Sequence, residues 1–338
     1  MAGDEKVTAT TGQVVLVTGA DGLLGSHITR KLLDGGFAVR VLVQPGSKSP
    51  TLDGLPVERV TGDILSGESL EGAVKGCGHV FHCAAITDMW ADKELTWRVN
   101  LDGTRNVLDA CVREGVGRLV FIGSASSFQF GTLENPGDES GPFPEDYRGQ
   151  AYSESKHKAM DLVREYVAEK GLDAVVVAPT FMIGSYDYRP SGGELIMQYI
   201  KRGMRYVSSG GRNFVHARDA ADAAVKALEL GRTGEVYIAG NINLTYFDFF
   251  SRTAEIAGAA PPKWVLPNAV VLAVGAAGSA YRAVSRRPAL IDLRIARLSI
   301  CTTYYNPGKA ISELGMETTP IEVAIEESVE SLRQYGHL

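Results

Sequence analysis

The run Val14-Val15-Leu16-Val17 passes straight into Thr18-Gly19-Ala20-Asp21-Gly22-Leu23-Leu24-Gly25, and no other junction in the chain constrains its folding as much. A continuous β-branched and aliphatic run reads as a strand buried on both faces. A helix follows through about Leu33, ended by Gly35-Gly36, and a second buried run occupies Ala38–Val43. Strand, glycine turn, helix and strand in this order form a parallel βαβ unit. One glycine permits the tight turn, one lets the backbone approach a pyrophosphate, and one lets the helix pack closely on the sheet. Phosphate then rests on the helix N-terminal amides, where the dipole favours negative charge. The spacing is G-x-x-G-x-x-G rather than the commonest dinucleotide fingerprint, G-x-G-x-x-G. Its place between a strand and a helix makes Gly19, Gly22, Leu23, Leu24 and Gly25 the candidate phosphate-binding residues.

The alternation continues. Val57–Val60 precedes Gly62-Asp63-Ile64, a helix at Ser69–Val74 and a strand over Val80–Ala85. A helix at Thr104–Glu114 leads to the strand Leu119–Ile122 and the cluster Gly123-Ser124-Ala125-Ser126-Ser127. A further helix reaches about Lys170, followed by the strand Ala174–Pro179. Repeated βα units predict an α/β fold with a doubly wound parallel sheet, whose ligands bind beyond the carboxyl ends of the strands. Those ends carry the glycine turn, Asp63, Ala84-Ala85, Ser124 and Pro179-Thr180, small groups that suit a flat cofactor. After Thr180 the rhythm breaks. Val215–Leu230 reads as a helix and Val236–Ala239 as a strand, and the last third reads as mostly helical, punctuated by prolines. The expected division is a tail at 1–12, a nucleotide-binding domain at 13–180 plus about 213–242, and a smaller substrate lobe at 181–212 plus about 243–338.

Composition narrows the classes. With 338 residues, 45% hydrophobic and 22% charged, the chain reads as an ordinary globular enzyme. A formal charge of -6 argues against a nucleic-acid partner, which calls for a basic face. Cys77, Cys83, Cys111 and Cys301 form no C-x-x-C pair and no metal-ligand spacing, so reduced thiols, no metal and a cytoplasmic setting are expected. Residues 1–12 lack the apolar core of a secretion signal. The most apolar stretch, Trp264–Tyr281, is interrupted by Pro267, Asn268 and glycines, and is expected to be a buried or substrate-facing helix without stable membrane insertion.

In Tyr152-Ser153-Glu154-Ser155-Lys156 the first and last residues share a helix face. A phenol ordinarily titrates near 10, and a neighbouring ammonium favours its phenolate, making Tyr152 a general acid or base. Such a pair alone is also consistent with one solvated helix face.

Thr18-Gly19-x-x-Gly22-x-x-Gly25, Gly62-Asp63-Ile64, Asn100-x-x-Gly103-Thr104, Ser124 and Tyr152-x-x-x-Lys156 together resemble the extended short-chain dehydrogenase/reductase (epimerase/dehydratase) superfamily over essentially the whole chain. Val80–Ala85, Asn100–Cys111, Tyr305-Asn306-Pro307-x-Lys309-Ala310 and Glu313-Leu314-Gly315 make it most similar to the dihydroflavonol 4-reductase and 3β-hydroxysteroid dehydrogenase group. The resemblance implies that Tyr152 exchanges the proton at the reacting oxygen and that Lys156 lowers its pKa and holds the nicotinamide ribose. It further implies that Ser124 hydrogen-bonds the substrate oxygen, that Asn100 supports Lys156 through water, and that Asp63 holds adenine. Loop hydrogen bonding is the alternative for Ser126 and Ser127, helix capping for Asn100, and turn capping for Asp63.

NAD-specific relatives carry an acid at the end of the second strand. Residues 38–48 contain none, which favours NADP(H) over NAD(H). Gln44 stands where NADP-dependent relatives have arginine; Arg40 falls inside the strand, and Lys48 is the nearest flexible cation. The leading expectation is reduction or oxidation between a hydrophobic ketone or aldehyde and its alcohol, drawn from Trp90, Phe128, Phe130, Phe181 and the 264–281 stretch. A sugar-nucleotide epimerase or dehydratase, using cations such as Arg202, Arg205, Arg286, Arg287, Arg294 and Arg297, is the second. A non-catalytic NADP-binding sensor is the third. Aliphatic helices at Asn106–Val112 and Ala159–Val167 suggest a homodimer.

Overall fold

In a computed structural model, residues 13–88, 91–285 and 292–338 are described. The expected tail at 1–12, Trp90, Arg286 and Arg287 lie outside them. The strands are β1 (Val14–Thr18), β2 (Ala38–Val43), β3 (Glu58–Thr61), β4 (Cys77–His82), β5 (Arg118–Ile122), β6 (Ala174–Pro179), β7 (Phe181–Ile183), β8 (Tyr206–Val207), β9 (Gly211–His216), β10 (Val236–Ala239), β11 (Ile242–Thr245), β12 (Trp264–Val265) and β13 (Thr302–Thr303). The helices are α1 (Leu23–Asp34), α2 (Gly67–Val74), α3 (Lys93–Trp97), α4 (Gly103–Glu114), α5 (Ala151–Lys170), α6 (Gly193–Arg202), α7 (Ala217–Leu230), α8 (Tyr246–Ala257), α9 (Asn268–Ser285), α10 (Leu293–Ser299), α11 (Gly308–Leu314) and α12 (Ile321–Gln334).

The main sheet runs β10-β6-β5-β4-β1-β2-β3, and every pairing in it is parallel. Strand residues alternate between two covered faces, which is why the strands read as unbroken apolar runs. Leu16, Val80, Phe121 and Val176 face α2, α4 and α5 through Leu70, Val107, Leu108, Met160 and Val163. Val15, Val17, Val41, Val120 and Val177 face α1 and α7 through Ile28, Leu32, Ala224 and Leu228, with Ala310 and Leu314 of α11 joining that layer. This is the doubly wound α/β fold expected. The strand order reverses between β1 and β4, where Thr18 lies opposite His82, and a ligand crevice belongs at that switch point.

A third core joins Ile183, Ile196, Tyr199, Phe214, Phe249, Ile325 and Leu332 around a small sheet in which β9 pairs with β7, β11 and β13. Phe214 and Phe249 stack with ring centroids 4.0 Å apart.

Three expectations are revised. β4 ends at His82, so Cys83, Ala84 and Ala85 lie in the loop beyond its tip. Val215 and His216 end strand β9 rather than opening helix α7, because they pair with β7. Trp264–Tyr281 is a short exposed strand followed by a surface helix, not a buried one: α9 buries only Val271 and Gly275.

Candidate active site

The glycine turn divides its tasks by geometry. Gly19 has φ +66°, and a Cβ there would stand 2.7 Å from the Ala84 backbone nitrogen. A Cβ on Gly25 would come 2.1 Å from the Gly19 carbonyl oxygen, so α1 packs on the turn only without a side chain. At Gly22, the residue before α1, an added Cβ meets nothing closer than Gly19 O at 3.4 Å. No side chain caps the helix there, and its first turn carries no acid. The uncapped Leu23 and Leu24 amides therefore form an electropositive cradle that fits a pyrophosphate.

Around the switch point a directed chain of buried polar groups links the turn to α5. Thr104 Oγ1 donates to the Asn100 carbonyl at 2.7 Å, so the 3.0 Å contact between Thr104 Oγ1 and His82 Nε2 requires a proton on the imidazole. His82 Nδ1 then accepts from Thr18 Oγ1 at 2.8 Å, and Thr18 Oγ1 accepts the Ala84 amide at 3.3 Å. Burial, with Lys156 adding to it, drops the His82 pKa to about 3, in keeping with this neutral form.

Asn100 is wholly buried inside the π-helical turn Arg98–Asp102 that joins α3 to α4, so it is not a helix cap. Its Oδ1 accepts the Ile86 amide at 2.8 Å, and its Nδ2 donates to the Ile86 carbonyl at 3.1 Å and to Ser155 Oγ at 3.0 Å. Ser155 Oγ donates onward to the Tyr152 carbonyl at 3.0 Å. Sequence reasoning gave no role of their own to Thr18, His82, Thr104 and Ser155; a Thr and a His at the tips of adjacent strands were the available signal.

Tyr152 and Lys156 share a face of α5, as their spacing predicts. Ser124 follows β5, its hydroxyl 2.9 Å from Ser126 Oγ and near enough to the Tyr152 phenol to influence its titration. Burial pushes the phenol pKa up, and Ser124 pulls it down. The Lys156 ammonium donates to the Ile122 carbonyl and lies 4.4 Å from the Phe121 ring centroid. Burial lowers its pKa to about 8. Burial is the larger of these two influences on the phenol.

The remaining predicted residues separate into groups. Gln44 and Lys48 are exposed beyond β2. Asp63 Oδ1 accepts the Leu65 amide at 2.9 Å, the turn-capping role. Ile64 is buried, fills the space a Gly103 Cβ would need (2.6 Å), and its carbonyl accepts from Asn106 Nδ2 at 3.0 Å. Ala84 and Ala85 are half-buried beside the turn, and Pro179 ends β6 opposite Ala239. Arg40 is spent on Glu58 and on the Ala73 and Lys75 carbonyls, as its place inside the strand implied.

A carboxylate does stand near the end of β2. Asp21 Oδ2 accepts from Ser47 Oγ at 3.3 Å and Ser49 Oγ at 3.2 Å, and pairs with Arg189. A scan of residues 38–48 alone misses it, because it comes from the glycine turn. Phe128 belongs to the core, while Phe130 packs on Tyr147 at 5.6 Å. Arg212, also unforeseen, lies 4.9 Å from the Phe181 ring centroid and donates to Tyr246 Oη at 2.7 Å. Among the described residues no group of acidic, His or Cys side chains could hold a metal ion.

The family model described as "NAD dependent epimerase/dehydratase family" matches residues 15–240, the glycine turn, the β1–β4 switch point and α5 included. The chain belongs to that family. This epimerase/dehydratase chain is 30% identical to a Synechocystis sp. protein named "Putative dihydroflavonol 4-reductase" over 328 residues, 95% of each chain. It is 27% identical to the human "Sterol-4-alpha-carboxylate 3-dehydrogenase, decarboxylating", covering 97% of this chain and 91% of that one. Among solved structures, that of gox2253 superposes with a TM-score of 0.86 at 30% identity, covering 96% of this chain and 99% of the other. The family is that of the extended short-chain dehydrogenases/reductases, and the chain is an NAD(P)-dependent oxidoreductase acting on CH–OH groups.

Proposed function

We propose that the protein is an NADP(H)-dependent carbonyl reductase or alcohol dehydrogenase acting on a hydrophobic ketone, aldehyde or secondary alcohol. The observation that carries this reading is the placement of Ser124, at the end of β5, where it acts on the buried Tyr152 phenol, with Lys156 one turn further along α5. The bound nicotinamide supplies or accepts the hydride at the carbonyl carbon. Tyr152 gives its phenolic proton to the carbonyl oxygen in reduction and takes it back in oxidation. Ser124 holds that oxygen, Lys156 holds the nicotinamide ribose and supports the phenol, and Asn100 positions α5 through Ser155. The α1 amides hold the pyrophosphate, with Asp63, Ile64, Ala84, Ala85 and Pro179 lining the adenine and nicotinamide ends.

NADP(H) is the preferred cofactor, with NAD(H) accepted. Supporting this, residues 38–48 carry no acid, and Asp21 is neutralised by Arg189. Gln44 and Lys48 meet the 2′-phosphate. The substrate lobe comprises 181–212 with about 243–338, and the protein works in the cytoplasm as a homodimer.

The second reading, a sugar-nucleotide epimerase or dehydratase, draws on Arg212, a half-buried cation beside Phe181. One experiment tests the order. NADPH and NADH are each offered aromatic, aliphatic, steroid-like and nucleotide-sugar substrates, with Tyr152→Phe alongside. NADPH oxidation by an apolar ketone, reduced about 10²–10⁴-fold in Tyr152→Phe, is expected. Turnover of a nucleotide sugar without net cofactor oxidation overturns the reading in favour of the second. Tight NADPH binding with no turnover overturns it in favour of a non-catalytic sensor.

A further inference from the structure

Helix α9 is apolar along its length yet lies on the surface. It rests on α10 by close contact: a Cβ on Gly275 would come 2.4 Å from Ala296 Cβ, and Ser279 Oγ accepts the Leu293 amide at 2.9 Å. Its opposite side carries Val270, Val274, Tyr281 and Val284, at spacings that align on one helix face. Val284 is 88% exposed. Immediately before the helix, β12 pairs with β8 and adds Trp264 (63% exposed), Val265 and Tyr206. Isolated apolar residues on a surface need no explanation, but a continuous stripe of valines with Trp and Tyr does.

The charges around the stripe indicate what covers it. From Ile256 to Ile291 the sequence holds no Asp or Glu, and neither does Leu195–Arg218, in a chain whose formal charge is -6. These two acid-free segments meet where Trp264 pairs with Tyr206. They bring exposed Lys201, Arg202, Lys263 and Arg282 to the rim, with Asp292, the cap of α10, answering Arg282 at 3.5 Å. An apolar face with interfacial aromatics and a cationic rim is complementary to an anionic lipid surface. A second copy of the chain would set these cations against one another. No helix among the described residues is long and apolar enough to cross a membrane, so the complement is a peripheral one.

Helix α10, on which α9 rests, reaches toward the site. Arg294 of α10 donates to the Gly149 carbonyl at 3.0 Å, at the entrance to the catalytic helix. We propose that the α9 face, with Tyr206 and Trp264, docks the protein reversibly on an anionic membrane surface, beside the loop leading into α5. Docking does not depend on which carbonyl is reduced, so it stands or falls separately from the proposed reaction.

The test is co-sedimentation of the full chain with phosphatidylglycerol–phosphatidylcholine vesicles, against phosphatidylcholine alone, at low and high salt. At low salt, binding roughly tenfold stronger to the anionic vesicles, with a blue shift in tryptophan emission that Trp264→Phe diminishes, is expected. The exposed double variant Val270→Glu/Val274→Glu should lose that binding while its unfolding temperature stays within a few degrees. Lys263→Glu should weaken binding in part. Failure to sediment with either vesicle, or equal sedimentation of the double variant, overturns the proposal. So does solution scattering in which the double variant converts a dimer to a monomer without any vesicle binding, which would make the face a contact between copies.

Discussion

Asn100 Nδ2 donates to Ser155 Oγ across 3.0 Å, so a residue from the turn before α4 holds the first turn of the catalytic helix. The same side chain closes on both backbone groups of Ile86. Asn100→Ala strips partners from three polar groups at once and should destabilise the fold by about 1–3 kcal/mol. Urea unfolding with an unchanged slope checks it. A loss below about 0.5 kcal/mol would show that the clamp holds nothing. Because α5 shifts with it, kcat should fall more than KM changes.

His82 must stay neutral for its two hydroxyl bonds to run in one direction. Nitrogen-resolved NMR should find the Nε2–H tautomer and no titration until the pH approaches about 3, the value burial imposes. A midpoint near the ordinary 6.5 would break the relay.

Lys156 sets a pH signature. In the folded protein its pKa is about 8 against an ordinary 10.5, so between those values the unfolded chain binds more protons. Stability of the cofactor-free protein should therefore rise with pH across that window, and Lys156→Met should abolish the rise. Over the same interval kcat/KM for the cofactor, which reports the free enzyme, should decline as the ammonium is lost.

Arg189 pairs with Asp21 near the end of β2, where the proposed reading seats the 2′-phosphate. Arg189→Ala leaves the carboxylate facing an incoming 2′-phosphate, a repulsion of about 1 kcal/mol at the surface, or roughly fivefold in NADPH affinity. NADH affinity should be unaffected, and added salt should shrink the difference. Fluorescence titration of both cofactors reads it directly.

The main sheet was legible because its central strands, such as β1, β5 and β6, are buried on two faces, and the periodicity says so without knowledge of partners. The glycine turn and the Tyr152–Lys156 pair were legible because their geometry is local. What sequence reading lost depends on distant pairing. Val215 and His216 look helical until β7 is placed beside them. The apolar composition of 264–281 says nothing about which side faces water. Asp21 escapes any scan of the second strand, since it arrives from the turn after the first. His82 and Thr104 become meaningful only when the switch point sets β1 against β4 and α4 against both.

The position of β10 bears on how the molecule is made. It pairs with β6 only after the chain has travelled out through β9 and α7 and returned. During synthesis, Ser124, Tyr152 and Lys156 have all been translated while β6 is still an open, wholly apolar edge. Such an edge recruits strands from other chains. Closing it over so long a separation is slow. A nascent or truncated chain ending before Val236 should thus carry Ser124, Tyr152 and Lys156 and yet precipitate through its open β6 edge.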